Sequence, residues 1–154
     1  MQDETRVELA TSEDDLRACM AVRREVFVAE QGVAAELEVD GLDGECRHFI
    51  ARRALAPVGT ARVRRTAEGW KIERVAVAAG ARRHGVGRAL VQRVLSELGC
   101  SSPEGPSASR GDAELIYLNA QVSALSFWEQ LGFRGRGPRF EEASIEHQRM
   151  IWPE

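Results

Sequence analysis

The chain has 154 residues, which suits a single domain spanning residues 1–154 with room for a buried core. Apolar residues make up 44% and charged residues 29%, so the composition is that of a folded globular protein and excludes a disordered chain. The formal net charge of -3 disfavours nucleic acid as a partner, because phosphate binding requires a basic surface.

The N-terminus and the cysteines predict an intracellular protein. The chain begins Met-Gln-Asp-Glu without the apolar run of a signal peptide, and no stretch of 18 apolar residues predicts a membrane span. Cys19, Cys46 and Cys100 are odd in number and widely spaced, so neither a disulfide framework nor a metal site is indicated. We therefore expect a cytoplasmic protein with reduced thiols, no metal and no membrane partner.

The first half of the chain predicts a strand, a long helix and three further strands. Hydroxyl and acidic residues at positions 11–15 are typical of a helix start, and apolar residues at helical spacing extend that helix from Ser12 to Glu30. An acidic, irregular segment follows from Ala35 to Glu45. The predicted strands are Val7–Ala10, His48–Arg53, Val58–Arg65 and Trp70–Ala79, with Gly69 in a hairpin turn between the last two.

The second half predicts a parallel crossover and a C-terminal pair of strands. The clearest helix is Gly85–Leu98, in which apolar residues recur every four positions and Gly99 supplies the stop. A strand at Leu115–Ala120 and a short helix at Ser123–Leu131 come next, and two antiparallel strands are expected between Phe133 and Trp152. Residues Cys100 to Asp112 are rich in Ser, Pro and Gly and predict a long loop.

A strand, a glycine-containing turn and a helix start follow one another between Val75 and Leu90. The first amides of a helix are unpaired and carry partial positive charge, and glycines at 85 and 87 allow a ligand to approach the backbone. Arg82, Arg83 and Arg88 add positive charge. Together these features predict a cradle for a pyrophosphate.

Two familiar phosphate motifs do not fit this turn. The Walker pattern requires Lys-Ser/Thr after the second glycine, where this chain has Arg88-Ala89, and the dinucleotide pattern requires glycine at position 90, which is Leu90. The remaining pattern, Arg-x-x-Gly-x-Gly after a strand, resembles the coenzyme-A motif of the GNAT acetyltransferase superfamily. The structural alternative is that the glycines only permit close helix packing.

Two further segments strengthen the resemblance. Leu118–Gln121 followed by Phe127–Phe133 is similar to the second GNAT signature, a strand and then a helix that ends in Gly-Phe. Arg24–Val33, followed by Asp40–Asp43 and His48–Ala51, resembles the ElaA-like branch of the superfamily. The three matches occur in the right order and cover nearly the whole chain.

The resemblance implies an α/β fold with a mixed, mostly antiparallel, twisted sheet. Six to seven strands, a splayed parallel pair and about four flanking helices are expected, with a homodimer possible in the family. The implied activity is an N-acetyltransferase that moves the acetyl group of acetyl-coenzyme A to a primary amine of a small molecule or peptide. The implied cofactor-binding residues are Val75, Ala76, Val77, Arg82, Arg83, His84, Gly85, Val86, Gly87, Arg88, Asn119, Gln121 and Phe127.

Glu73 is the first candidate for the base that deprotonates the amine. Strand alternation places it on the same face as Val75 and Val77 if the strand is regular, whereas a bulge would place it on the opposite face. The alternatives are that Glu73 forms an ion pair with a nearby arginine, or that water removes the proton without a dedicated base.

Trp128 occupies the position at which the family usually has a tyrosine acting as general acid. An indole N–H can donate a hydrogen bond but is not a practical proton source. The chain's single tyrosine, Tyr117, is on the preceding strand. The departure leaves open a catalytically silent coenzyme-A sensor or binding module, and also a protein–protein adaptor that binds no coenzyme A.

Acidic residues of the first helix and the following loop are candidates for substrate selection. Glu30, Glu38, Asp40 and Asp43 would form a negative mouth that favours a cationic amine, although each could instead be merely solvated. His147 is a candidate for a substrate contact or proton relay. The arginines of the predicted strand Val58–Arg65 are expected on its solvent-facing side; they are Arg62, Arg64 and Arg65.

Overall fold

The computed structural model describes residues 4–99 and 115–153. Within them, seven strands form one sheet, which agrees with the six to seven strands expected. The strands are β1 (Thr5–Ala10), β2 (Arg47–Arg53), β3 (Ala56–Thr66), β4 (Gly69–Val77), β5 (Leu115–Gln121), β6 (Arg134–Glu142) and β7 (Ile145–Ile151). They lie in the order β1-β2-β3-β4-β5-β7-β6.

Helical segments flank the sheet on both faces. Ser12 caps the first helix, since its hydroxyl oxygen accepts a hydrogen bond from the amide of Asp15 at 3.0 Å. None of the helices in the described ranges is long and apolar enough to cross a lipid bilayer. The helices are α1 (Glu13–Arg23), a π-helix (Arg24–Glu30), α2 (Ala35–Glu38), α3 (Val86–Glu97) and α4 (Leu125–Gln130).

The predicted helix Ser12–Glu30 is continuous but changes type after Arg23. From Arg24 onward the turns widen to a π-helix, with the amide of Gln31 donating to the carbonyl of Val26 at 3.0 Å. The acidic segment predicted to be irregular contains α2 and a 3-10 turn at Asp43–Glu45. The loop predicted at Cys100 to Asp112 lies outside the described residues.

Two helical layers cover opposite faces of the sheet. Cys19 of α1 packs on Ile50, whereas α3 packs on Phe49 and Ala51, whose side chains point to the other face. The main core lies on the α3 face and includes Trp128 of α4. We call the two sides of the sheet the α1 face and the α3 face.

The sheet opens between β4 and β5, the parallel pair. Their paired positions run only from Gly69 with Leu115 to Ile72 with Leu118, although β4 continues to Val77 and β5 to Gln121. Helix α3 makes the crossover between these two strands. The expected splayed pair is therefore present, and its gap begins directly after Ile72.

A β-bulge interrupts β4 just where the gap begins. Arg62 of β3 pairs with Glu73 and Thr60 pairs with Ala76, so one residue of β3 faces two of β4. Arg74 takes the extra position and has a φ of 53°. The bulge reverses the alternation, so Glu73 is on the α1 face whereas Val75 packs against the core on the α3 face.

Gly69 packs closely against Leu115 at the first position of the parallel pairing, and its replacement tests that pairing. A Cβ there would lie 2.1 Å from the carbonyl oxygen of Leu115, and φ is 141°. We expect Gly69→Ala to lower the free energy of unfolding by about 2 kcal/mol or more, because backbone strain and a main-chain clash combine. Urea denaturation measures the change.

Gly80→Ala is the matched control for this substitution. A Cβ at Gly80 meets nothing within 4 Å, so we expect its effect to stay within about 0.5 kcal/mol. Equal stability of the two variants would contradict the described start of β4.

Candidate active site

A cleft of about 830 Å³ lies where β4 and β5 diverge. This volume is in the range of small-molecule binding sites. The ends of both strands, the π-helix, α2, α4 and the β6–β7 hairpin line it. Eleven predicted site residues line the cleft: Glu30, Asp40, Glu73, Val75, Ala76, Val77, Arg82, Asn119, Gln121, Trp128 and His147.

The C-terminal end of β4 and the start of α3 offer unpaired main-chain donors. The amide of Ala78 donates to Val58 on β3 at 2.9 Å, so the alternating amides of Val75 and Val77 point toward the gap. The start of α3 has no side-chain cap, and its first internal bond runs from the amide of Ala89 to Gly85 at 3.0 Å. The amides that precede Ala89 can therefore bind an anion.

The two glycines of the motif are needed for different structural reasons. Gly85 has a φ of 78° and open space around it, so glycine there permits the left-handed turn that starts α3. A Cβ at Gly87 would lie 3.1 Å from the ring of Phe127 and 3.7 Å from Val77. Gly87 thus permits close packing of α3 on α4, the structural alternative raised by the sequence.

Arg82 connects the turn before α3 to the π-helix. Its Nε donates to the carbonyl of Val77 at 2.9 Å, and its two terminal nitrogens each lie 2.6 Å from a carboxylate oxygen of Glu30. The hydrogen bond from Arg82 holds the pKa of Glu30 below its usual value. Beside this pair, the Gln121 amide donates to Gln31 at 2.9 Å, so two side-chain contacts tie the π-helix to the strand ends.

Asn119 and Trp128 form part of the cleft wall. The side-chain oxygen of Asn119 is buried and has no hydrogen-bond partner among the described residues, so it can accept from a bound ligand. Trp128 is 5% exposed and packs edge-on against Phe127 and Phe133, which fixes its ring. Tyr117 is elsewhere, with its hydroxyl 2.8 Å from that of Thr66.

Glu73 is surrounded by cationic side chains. Its carboxylate lies 2.6 Å from Arg64, 3.1 Å from Arg62 and 3.2 Å from Lys71. Burial acts to raise the pKa of Glu73, but the hydrogen bond from Arg64 and the charges of Lys71 and Arg62 outweigh it and keep the pKa low. The ion-pair alternative of the sequence is thus present, and it makes Glu73 a weak proton acceptor.

The acidic segment supplies counterions for two buried arginines. Arg23 is 0% exposed and lies 2.8 Å from Glu38 and 2.7 Å from Asp43. Arg62 is also 0% exposed, so its predicted exposure on a solvent-facing strand was wrong. It lies 2.6 Å from Asp40 and 2.8 Å from Asp43, because α1 and the acidic segment cover this part of the α1 face.

These contacts hold the acidic side chains in their charged form. The hydrogen bond from Arg62 keeps the pKa of Asp40 far below its usual range. Burial alone would raise the pKa of Asp43, but hydrogen bonds from Arg23 and Arg62 lower it. Arg74 lies 3.0 Å from Glu38 and also contacts Asp40, so the acids predicted to form a negative mouth are largely neutralised.

His147 presents one ring nitrogen to its own strand and is held by an aromatic neighbour. Its Nδ1 lies 2.7 Å from the carbonyl oxygen of Ile145, which can only accept, so Nδ1 carries the proton in the neutral ring. The ring stacks on Phe140 at 5.9 Å. His147 lines the cleft, and this arrangement leaves its Nε2 as a hydrogen-bond acceptor.

The other predicted residues lie beside the cleft rather than in its wall. Arg83, His84 and Arg88 are exposed in and after the turn, and Val86 is buried in the core. Sequence reasoning missed the buried roles of Arg23 and Arg62. The available signal was periodicity, since Arg23 lies four residues after buried Cys19 on one helix face.

Comparison with known proteins assigns the class. The acetyltransferase (GNAT) domain family matches residues 8–153. The chain therefore belongs to the GNAT acetyltransferase family, as the motif resemblance predicted. The uncharacterized N-acetyltransferase YjcF of Bacillus subtilis (strain 168) is 34% identical over 144 residues, which cover 93% of this chain and 96% of that protein.

Solved structures agree with this assignment. Escherichia coli ElaA is 25% identical, with a TM-score of 0.77 over 98% of this chain and 99% of that one, which confirms the resemblance to the ElaA-like branch. An aminoglycoside 6'-N-acetyltransferase complexed with coenzyme A has a TM-score of 0.69 at 17% identity and covers 95% of each chain. That second likeness concerns the fold alone.

The ion-pair cluster predicts acid-sensitive stability. The pKa values of Asp40, Asp43 and Glu73 are lower in the folded protein than the ~4 of unfolded carboxyls, so their contribution is present above about pH 4 and is lost as the pH falls through the folded values. We expect the free energy of unfolding in urea to fall steadily below about pH 5.

The substitution Arg62→Met tests whether this cluster, rather than other carboxylates, causes the loss of stability in acid. It removes the cation that Asp40, Asp43 and Glu73 share, although each keeps another cationic neighbour, so we expect a loss of about 2 kcal/mol or more at pH 7 and a shallower acid dependence than wild type. Exposed Arg134→Met is the control and should change neither quantity. An acid dependence unchanged by Arg62→Met would contradict the role of the cluster.

Proposed function

We propose that the protein is an acetyl-coenzyme-A-dependent N-acetyltransferase that moves the acetyl group directly to a primary amine of a small molecule or peptide. The observation that carries this proposal is the gap between β4 and β5, because it exposes main-chain donors beside an uncapped helix start. Family membership and the coenzyme-A complex of a protein with the same fold support it.

The chain's own residues suit the two ends of this cosubstrate. The amides at the start of α3 would bind the diphosphate, together with Arg83 of the preceding turn and Arg88 of α3. The pantetheine arm would lie against β4 and pair with Val75–Val77 like an added strand, within reach of the Asn119 oxygen. Gln121 and Phe127 lie on the opposite side of the gap, on β5 and α4.

The acetyl-coenzyme A supplies an activated thioester. The amide of Val75 or Val77 would donate a hydrogen bond to the thioester oxygen, and such a donor is typically worth about 3–4 kcal/mol in the transition state. The thiol is a tolerable leaving group without protonation, since its pKa is about 8.5. Trp128 can donate a hydrogen bond to the departing sulfur in place of a tyrosine.

We infer that His147, rather than Glu73, accepts the proton of the amine. Its Nε2 is the free acceptor of a positioned ring, whereas both oxygens of Glu73 are paired with cations. Histidine is also the side chain that most often serves as a general base. Glu142 lines the same part of the cleft and is placed to attract the ammonium.

A thiol-release assay with acetyl-coenzyme A and a panel of amines tests the activity. The panel covers polyamines, aminosugars, amino acids and peptides, each at several pH values. Amine-dependent thiol release supports the transferase. Acetyl-coenzyme A binding without thiol release for any amine would favour the silent sensor, and absence of binding would favour the adaptor.

Gly85→Glu tests the diphosphate cradle. We expect it to weaken acetyl-coenzyme A binding by ~10-fold or more relative to Gly85→Gln, because a carboxylate near the diphosphate costs about 1–4 kcal/mol. The two variants share the backbone strain at a φ of 78° and differ only in charge, and calorimetry measures both affinities. Equal affinities would place the diphosphate elsewhere.

His147→Gln and Glu73→Gln identify the proton acceptor. The wild-type rate should rise with pH as the base loses its proton, and we expect His147→Gln to lower the rate by ~100-fold or more and to abolish that rise. Glu73→Gln should keep the wild-type pH profile. A normal profile in His147→Gln together with an altered one in Glu73→Gln would assign the base to Glu73 instead.

A further inference from the structure

The cationic side chains that line the cleft differ in how their donors are used. Arg74 contacts the carboxylates of Glu38 and Asp40 and also main-chain oxygens of α2. Arg82 uses Nε on Val77 and both terminal nitrogens on Glu30. These two arginines are therefore largely satisfied by the protein itself.

Arg64 and Lys71 have hydrogen-bond donors that no described contact uses. They face each other across the β3–β4 pair, and both line the cleft. Among the described contacts, Arg64 uses only Nε, at 2.6 Å from Glu73, and Lys71 lies 3.2 Å from the other oxygen of the same carboxylate. Their side chains are 21% and 17% exposed, whereas Glu73 is 8% exposed and lies beneath them.

The charges of the surrounding cluster do not balance. Five cationic side chains share four carboxylates, and the ion pairs run from Arg23 at one end to Arg64 and Lys71 at the other. Glu73 divides its single charge among Arg62, Arg64 and Lys71. Within this cluster the excess positive charge therefore lies at Arg64 and Lys71, the end that lines the cleft, whereas Glu142, outside the cluster, lines the cleft from β6. The members are Arg23, Arg62, Arg64, Lys71, Arg74, Glu38, Asp40, Asp43 and Glu73.

We propose that Arg64 and Lys71 bind a carboxylate of the acceptor, so that the substrate is an amine that also carries a carboxylate. The free face of the guanidinium can engage both oxygens, and the ammonium adds a point charge. This assignment rests on the proposed acetyltransferase activity and names the class of its acceptor. It replaces the expectation of a purely cationic substrate, which depended on acids that the structure pairs with arginines.

The position of Arg64 and Lys71 determines how far the carboxylate of the acceptor must lie from its amine. Lys71 lies at the closed end of the gap, one residue before the last paired position of β4 and about 10 Å along the strand from Val75. The reacting amine must reach the thioester beside Val75, so the carboxylate lies several bonds from it. An ω-amino acid or a short peptide meets this requirement better than an α-amino acid does.

Matched pairs of amines test the proposal. We expect 6-aminohexanoate to be acetylated with a KM at least ~10-fold lower than hexylamine, and a dipeptide with a KM lower than its C-terminal amide, because a charge-assisted bond is lost in each partner. Preference for the partners that lack the carboxylate would overturn the proposal. Preference for an aminoalkylphosphonate over the aminocarboxylate would overturn the choice of carboxylate.

Two variants connect this preference to the residues. Arg64→Met and Lys71→Met should each raise KM for 6-aminohexanoate by ~10-fold or more while leaving kcat and the KM of hexylamine nearly unchanged. Arg149→Met is the control, since it also removes a positive charge but pairs with Glu68 outside the cleft lining. Equal effects on both amines would assign Arg64 and Lys71 a structural role only.

Direct binding separates this proposal from the proposed activity. Calorimetry with the protein saturated by coenzyme A measures the affinity of 6-aminohexanoate and hexylamine without turnover. Tighter binding of 6-aminohexanoate that is lost in Arg64→Met would support the carboxylate site even if no thiol were released. Equal binding of the two amines would overturn the site while leaving acetyl transfer to other amines intact.

Discussion

Strand β4 is hydrogen-bonded to β3 along nearly its whole length but to β5 only over its first four residues, and the candidate site depends on that difference. A strand that loses one neighbour keeps its shape because the other neighbour still holds it. Its outward donors and acceptors are then free to bind a ligand in an extended conformation. The bulge at Arg74 adds to this by turning Val75 and Val77 away from the polar α1 face.

The second constraint is electrostatic. Burying Arg23 and Arg62 without partners would cost several kcal/mol each, so the acidic segment after the π-helix is needed as a set of counterions. These ion pairs hold α2 and the acidic segment against α1, β3 and β4, and they thereby form one wall of the cleft. The same pairs remove most of the negative charge from the cleft and leave Arg64 and Lys71 as its accessible cations.

Much of the fold follows from local patterns. Strands β1 to β5, the start of α1 and both ends of α3 were predictable within a few residues, because alternation, helical spacing and the Ser12 and Gly85 signals act over short distances. Strands β6 and β7 were predictable only as a pair between Phe133 and Trp152. The change to a π-helix was not predictable, since the sequence from Arg24 to Glu30 has ordinary helical residues and the wider turn accompanies contacts with distant Arg82 and Gln121. Helix α2 was missed for a similar reason, as four residues are too few for a periodic signal.

The sequence by itself determined the class of protein, through three segments that resemble the family. It also predicted unpaired main-chain donors at the start of α3, because a strand, a glycine turn and a helix start are local features. Only the tertiary structure decided which side chains are free to act. Glu73, Asp40 and Glu30 looked alike as acids, yet each is paired with arginines from elsewhere in the chain. Charge neutralisation depends on distances of a few ångströms between segments far apart in sequence, and such distances exist only once the chain has folded.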